Sequence, residues 1–219
     1  MFYNLTKRTI DIVVSLGTLI IFSPVFLIAP LLIKLGSPGP VFADTPKRVG
    51  KNGVLFRMYK FRSMVSNAHD LLLNDPKFRK LYEEYKKGSY KLKDDPRVLK
   101  DDPRVTKIGK ILRRFSLDEL PQIFNVLRGE MSLVGPRAYF PDELENQQKV
   151  YPGTKKYVNE FLGAKPGITG NWQVSGRSEV NFDKRVRMDA DYVRGRSIKR
   201  DILIILKTPW AMLSGKGAL

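Results

Sequence analysis

The chain has 219 residues, enough for one domain with a real core and too few for two large ones. Lys and Arg outnumber Asp and Glu by 39 to 22, and the resulting net charge of +17 calls for an anionic partner: nucleic acid, phospholipid headgroups or a phosphorylated substrate. Cys is absent and His69 is the only histidine, which excludes a disulfide framework and metal sites built on Cys or on His clusters, and argues against a Ser-His triad.

The amino-terminal segment chooses among the anionic partners. From Ile12 to Ile33 no side chain is charged, a length close to the ~20 residues that cross a bilayer core as a helix. A signal peptide would end in a small-residue cleavage site; here the run continues into Lys34-Leu35-Gly36-Ser37-Pro38-Gly39-Pro40, so the segment is expected to stay on the chain. Ser23-Pro24 stands near its centre. Proline removes one helix hydrogen bond, which predicts a bend, with the Ser23 hydroxyl placed to satisfy a freed carbonyl. Lys7 and Arg8 precede the segment and Lys34, Lys47 and Arg48 follow it, so the positive-inside rule sends both flanks to the same side. A helix that enters, breaks and leaves on one face meets both facts; a kinked ordinary span is the alternative.

After the membrane segment, Ser37 to Phe42 reads as a turn into a short strand. Arg48 to Met64 reads as a hairpin about Asn52-Gly53, whose second arm alternates apolar and basic residues. Lys60 and Arg62 would then share one strand face, suited to phosphate or a membrane surface, or serve simply as its wet face. From Ser66 to Lys87 apolar residues recur at helical spacing, interrupted at Asp75-Pro76, which predicts a hairpin of amphipathic helices with His69 on its surface and no chemistry. Asp94-Asp95-Pro96-Arg97-Val98 recurs as Asp101-Asp102-Pro103-Arg104-Val105. Asp-Asp-Pro at the opening of a helix is the commoner reading there, and metal binding the rarer one.

The most informative stretch follows: Phe115-Ser116-Leu117-Asp118-Glu119-Leu120-Pro121-Gln122, then Gly129 to Arg137. Two adjacent carboxylates lie just after Arg113 and Arg114 and shortly before Arg128 and Arg137. That composition suits phosphoryl chemistry, in which one carboxylate attacks phosphorus, the other holds a divalent metal and guanidinium groups neutralise phosphate oxygens. A structural reading is compatible with it: Ser116-x-x-Glu119 has the spacing of a capping box at a helix start. Helical patterns cover Val105–Arg114, Pro121–Arg128, Asp142–Tyr151, Lys155–Leu162 and Phe182–Val193. Between them Lys165 to Arg177 is a glycine-rich turn leading into a strand-like piece, with the spacing of neither a Walker A loop nor a dinucleotide fingerprint. Asp201 to Leu213 is a strongly apolar helix carrying Trp210, too short to span and suited to the interface beside the first segment.

Together these motifs resemble the bacterial sugar transferases, the monotopic phosphoglycosyl transferases that begin glycan assembly on a polyprenol phosphate. The likeness runs from about Lys7 to the carboxy terminus. It rests on the Ser23-Pro24 break, Tyr59-Lys60-Phe61-Arg62-Ser63-Met64, Ser116 to Gln122, Met131 to Arg137, Lys165 to Gly170, Trp172 to Arg177 and Asp189-x-x-Tyr192. The resemblance implies that Asp118 attacks the β-phosphate of a nucleotide sugar, that polyprenol phosphate then takes the phosphosugar, and that Glu119 binds Mg²⁺, with Asp189 as the second candidate ligand. It further implies that Arg113 and Arg177 bind phosphate, that Pro136-Arg137 faces the nucleotide, and that Ser23 and Pro24 mark a re-entrant helix. Ala138 stands where another proline usually follows Pro-Arg, and Ala43-Asp44-Thr45-Pro46 lacks a glutamine common before the Arg-Val-Gly turn. The insertion before Asp94 and the closing Gly215 to Leu219 look more like the exopolysaccharide and O-antigen hexose-phosphate transferases, which favours UDP-glucose or UDP-galactose as donor.

The expected protein is α/β-like, mostly helical with a small sheet. Residues 1–36 would form the re-entrant membrane helix and residues 37–219 a catalytic domain on the cytoplasmic face of the inner membrane, in contact with anionic lipids and compatible with a homodimer. Two rivals remain. A nucleic-acid-binding protein has only the charge in its favour, so no nucleic acid is expected as partner. A non-catalytic membrane-surface protein would not need Asp118-Glu119 among arginines.

Overall fold

A computed structural model describes residues 2–76, 79, 102–175 and 180–213. The second half of the expected helical hairpin, the first Asp-Asp-Pro copy, Arg177 and the closing residues after 213 lie outside that set.

The apolar amino-terminal run forms two helices, α1 (Phe2–Ile21) and α2 (Ser23–Gly36), bent by 61° at the break. Pro24 has no amide to give, and the Ser23 hydroxyl donates to the Ile20 carbonyl at 2.8 Å, so the break costs little hydrogen bonding. No single helix among the described residues is long and apolar enough to cross a membrane, but this bent pair has the length and composition for it. Both arms pack on the rest of the protein. The first two turns of α1 are polar and anchored: Lys7 Nζ and the Tyr3 hydroxyl each donate to Asp201 Oδ2 at 3.0 Å, and Arg8 donates to the carbonyls of Val126 and Leu127. Asp11, fully inside the protein, accepts from Ser132 Oγ and the Leu133 amide, both at 3.0 Å. Beyond Asp11 the outward side chains are apolar, with Val13, Leu16, Ile20, Ile21, Leu27 and Leu31 all exposed.

The hairpin forms as expected about Asn52-Gly53, but it is short: β1 (Arg48–Val49) pairs antiparallel with β2 (Leu55–Phe56) only. Past Phe56 a side chain replaces the strand partner, because the buried Asn125 amide gives Nδ2 to the Arg57 carbonyl and accepts the Tyr59 amide. The chain then makes single bridges, Phe42 to Phe61 and Met64 to Val105, in place of the long alternating arm. After α3 (Ala68–Asn74), the second Asp-Asp-Pro copy forms a turn, with Asp102 ion-paired to Arg104 inside the protein. It does not open a helix. Thr106 takes that place, its hydroxyl accepting the Gly109 amide at 2.9 Å to cap α4 (Lys107–Arg114).

Helix α5 (Gln122–Arg128) ends on Gly129, whose φ of +81° suits a residue without a Cβ. β3 (Ser132–Val134) then runs parallel to β4 (Gly167–Thr169). This pairing, absent from the sequence reading, depends on glycine: a Cβ on Gly135 would stand 2.4 Å from the Lys165 carbonyl oxygen and one on Gly167 2.0 Å from the Gly135 nitrogen. Helices α6 (Pro141–Val150), α7 (Lys155–Phe161), α9 (Phe182–Arg194) and α10 (Ile198–Leu213) match the periodic stretches. The expected strand-like piece at Trp172 is instead a short helix, α8 (Asn171–Ser175), and the strand lies one step earlier. The main core gathers Phe56, Ile123, Val126, Met131, Val134 and Ile204 between the parallel strands, α5 and α10, while Ala29, Ile33, Phe61 and Leu112 join α2 to the segment before the carboxylates.

Candidate active site

The two carboxylates sit on a single turn of 3-10 helix, Leu117–Glu119, between α4 and α5. Ser116 enters it with φ +54°, the left-handed region that costs a non-glycine residue about 1–2 kcal/mol. A helix cap needs extended backbone at that position, so the expected capping box does not form: Ser116 makes no side-chain cap, and Glu119 reaches Lys60 instead. The Asp118 carbonyl accepts the Phe61 amide at 2.9 Å, which ties the turn to the segment carrying Lys60. Lys60 Nζ lies 2.7 Å from Glu119 Oε1 and 3.7 Å from Asp118 Oδ2, bridging the pair.

The two acids have different electrostatic environments. Burial pushes the Asp118 carboxyl above its ordinary value, with Glu119 adding to the rise and Lys60 and Arg113 opposing it. Burial also acts on Glu119, but there Lys60, Arg137 and Arg48 outweigh it and hold the group below its ordinary value. Glu119 is thus the settled anion and Asp118 the one whose charge is poorly compensated. An anion short of compensation in a cavity is a natural nucleophile or ligand.

That cavity measures about 1390 Å³. Asp118, Glu119 and Lys60 line it together with Arg113, Arg137 and Arg48. Arg113 comes from the last turn of α4. Arg137 follows β3 and lies over the faces of Tyr139 and Trp172, both at 5.8 Å. Arg48, which the sequence offered only as a flanking charge, is buried with its guanidinium 3.1 Å from the centre of the Phe140 ring and one nitrogen on the Ala138 carbonyl. Arg185 enters the same cavity from α9, over Trp172 at 5.3 Å. Nothing in their spacing along the chain marks Arg48 and Arg185 as partners of Glu119 or Trp172; only packing brings them there.

Three expected site residues stand elsewhere or work differently. Arg62 lines the same cavity as Lys60, but its guanidinium is held by the carbonyls of Ile33, Ser37 and Pro38 and by Ser66, closing the end of α2. Pro136 is outside the cavity lining and accepts the Gly167 amide, so it shapes the loop that presents Arg137. Asp189 is fully buried behind that loop, where Oδ2 accepts the Arg137 amide at 3.3 Å and the Tyr139 hydroxyl at 3.2 Å. Burial lifts its carboxyl to about 7 against the pull of those two bonds, and its Oδ1 has no hydrogen-bond partner among the described residues. Such a group positions Arg137; it does not line the cavity with Glu119. Among the described residues no cluster of three or more His, Asp or Glu side chains is preformed for a metal. Two neighbouring carboxylates completed by substrate phosphates nonetheless fit Mg²⁺, which favours one or two carboxylates plus phosphate oxygens.

The sequence matches the profile of a family described as bacterial sugar transferase over residues 2–215. It is 45% identical, over 97% of its length, to the undecaprenyl-phosphate galactose phosphotransferase of Salmonella typhimurium and 43% identical, over 98%, to an uncharacterized sugar transferase of Haemophilus influenzae. The exopolysaccharide production protein ExoY of Sinorhizobium fredii is 39% identical over 98% of this chain. The chain spans only 41% and 42% of the first two relatives and 88% of the third.

Proposed function

The chain belongs to the bacterial sugar transferase family, and from that premise we propose that it transfers a sugar 1-phosphate from a nucleotide sugar to a polyprenol phosphate at the membrane surface, initiating a surface glycan. The observation that carries the reading is the Asp118-Glu119 turn: a poorly compensated carboxylate beside a settled one, bridged by Lys60, in a cavity ringed by arginines and walled on one side by the apolar helix pair.

In the first step an Asp118 carboxylate oxygen bonds to the β-phosphorus of the donor, the bond from that phosphorus to the bridging oxygen breaks, and a nucleoside monophosphate leaves. In the second, a phosphate oxygen of the lipid acceptor attacks the same phosphorus, the acyl-phosphate bond breaks and the Asp118 carboxylate is restored. Lys60, Arg113 and Arg137 neutralise phosphate oxygens through both steps. Glu119, with an Asp118 oxygen, would hold Mg²⁺, which supplies further charge neutralisation on the diphosphate. Splitting the transfer spares the cavity from holding both anions at once, so ping-pong kinetics are expected. The name of the Salmonella relative supports undecaprenol as the lipid and galactose as the sugar, with UDP as the carrier in line with the family resemblance.

Both arms of the bent pair pack on the domain, α1 on α5 and β3 and α2 on α4, and hydrogen bonds from Lys7 and Arg8 anchor the first turns of α1 there. This supports a re-entrant pair in the inner membrane with the catalytic residues on the cytoplasmic side. Intact-protein mass spectrometry after incubation with donor alone tests the chemistry. A hexose-phosphate adduct that vanishes in Asp118→Asn is the expected result, and intersecting initial-rate plots without an adduct would replace the covalent route by direct transfer.

A further inference from the structure

Three cations gather at the end of α5, outside the cavity that holds Asp118. Arg128, the last residue of that helix, is exposed. Arg8 reaches the same end from α1, donating to the Val126 and Leu127 carbonyls at 2.6 and 2.8 Å. Lys165 arrives from the loop before β4: its Nζ and Arg8 Nη2 stand 3.4 and 3.9 Å from the place that a Cβ on Gly129 would take. The carboxylates close by are engaged with other donors, Asp11 with Ser132 and Leu133, and Glu130 with Asn125 Nδ2 at 2.7 Å. Burial pushes the Lys165 ammonium below its ordinary value, and Arg8 and Lys51 add to that shift against the pull of Asp11. The end of α5 is therefore a place of positive potential.

Beside Arg128 a recess of about 400 Å³ opens on the surface, walled by Phe42, Tyr59 and Phe124. The Arg128 guanidinium lies over the Tyr59 ring at 5.1 Å and donates to the Tyr59 hydroxyl. Phe42 and Phe124 are both exposed. Phe124 stands one turn before Arg128 on α5 and meets Phe26 of α2 edge-on at 5.7 Å. The recess thus joins the apolar surface of the bent pair at one end and the cations at the other. Arg8 sets its depth: basic residues flanking an apolar run lie at the membrane surface, where tyrosine is also enriched. The end of α5 bonded to Arg8 then lies at headgroup level, and Phe124 lies about 5 Å deeper. We propose that this recess binds an anionic phospholipid, with its phosphate on Arg128 and the Tyr59 hydroxyl and the upper part of its acyl chain against Phe42 and Phe124. A free phosphate would have no use for the aromatic walls, and a choline headgroup would bring a fourth cation into the cluster. The inference rests on the proposed membrane placement and adds to it a lipid class and the residues that hold it.

The full chain in neutral detergent micelles is titrated with phosphatidylglycerol and with phosphatidylcholine of equal chain length, and retained lipid is counted by native mass spectrometry. The unaltered protein is expected to hold a single phosphatidylglycerol about tenfold more tightly than phosphatidylcholine. Arg128→Gln should abolish most of that preference. Lys149→Gln removes the same charge from the exposed side of α6 and should leave the preference as it was. Equal losses in the two variants would assign the preference to net charge, and no preference in the unaltered protein would leave the site without a ligand; either result overturns the proposal. Should Arg128→Gln fail to fold, phosphatidylglycerol carrying a diazirine high on one acyl chain is photolysed with the unaltered protein. Adducts on peptides containing Phe42, Tyr59 or Phe124 support the site, and adducts confined to α1 and α2 sink it. An unaltered protein that floats with neither phosphatidylcholine vesicles nor vesicles enriched in phosphatidylglycerol would overturn the membrane placement and the site together. That failure is distinct from normal flotation without a lipid preference.

Discussion

Two polar regions meet in this protein, one buried and one part-buried at the cavity, and they are finished to different degrees. Under α1, the Asp201 carboxylate accepts Tyr3, Lys7 and, at 2.6 Å, the Tyr192 hydroxyl, while Asp11 accepts two donors of β3. At the carboxylate turn, Lys60 is 2.7 Å from Glu119 but 3.7 Å from Asp118, and burial leaves Asp118 with a raised pKa. A satisfied network holds elements in place; one left short of partners costs folding energy and keeps them for a substrate. The seam fixes α1 to the domain, and the turn is where the proposed chemistry belongs.

The comparison breaks first at Asp118. Asp118→Asn should lower turnover by on the order of 10³-fold or more, since an amide does not attack phosphorus. The same variant should melt at a higher temperature at neutral pH, because a buried and under-compensated charge is removed. Calorimetry on the variant that instead showed a loss of stability would mean the turn is as finished as the seam. The opposite outcome is expected at Asp11. Asp11→Ala strands the Ser132 hydroxyl and the Leu133 amide inside the protein and should cost about 3 kcal/mol in denaturant unfolding, with the donor half-reaction retained in the folded fraction.

Asp189 stands between the two regions: it has two donors, yet its carboxyl is lifted to about 7. A raised acid binds a proton in the folded state that the unfolded chain has already released. Its contribution to stability is therefore favourable at low pH and is lost as pH rises from about 4 to about 7. Asp189→Asn should flatten that part of the stability profile, and a variant whose profile still falls there would assign the effect to another group. The smallest effect is expected at Arg62. Arg62→Lys loses part of the fork that closes α2 and should cost about 1 kcal/mol of stability while leaving the donor KM as it was. A raised donor KM would return Arg62 to the phosphate site.

The Asp189-x-x-Tyr192 spacing shows why sequence reading reached the right neighbourhood and missed the task. One turn of α9 carries both residues, yet Asp189 serves the loop of Arg137 and Tyr192 serves the seam under α1. The apolar run, its break at Ser23-Pro24 and the helices past Pro121 were legible because they are local: periodicity, a missing amide and a long uncharged stretch act through neighbours in the chain. The adjacency of Asp118 and Glu119 among arginines was legible for the same reason, as composition within one short segment.

What the sequence determined by itself, then, was most of the helices, the apolar character of the first two and the break between them, and the pair of carboxylates with their basic surroundings. Only the tertiary structure decided that Lys60 bridges the carboxylates while Arg62 closes the end of α2, that Arg48 and Arg185 join the cavity, that β3 pairs with β4 through Gly135 and Gly167, and that Asp118 rather than Glu119 is the poorly compensated acid. Those facts depend on groups far apart in the chain coming within a few ångströms in a medium of low polarity. There burial sets the cost of each charge and packing chooses which partner it meets.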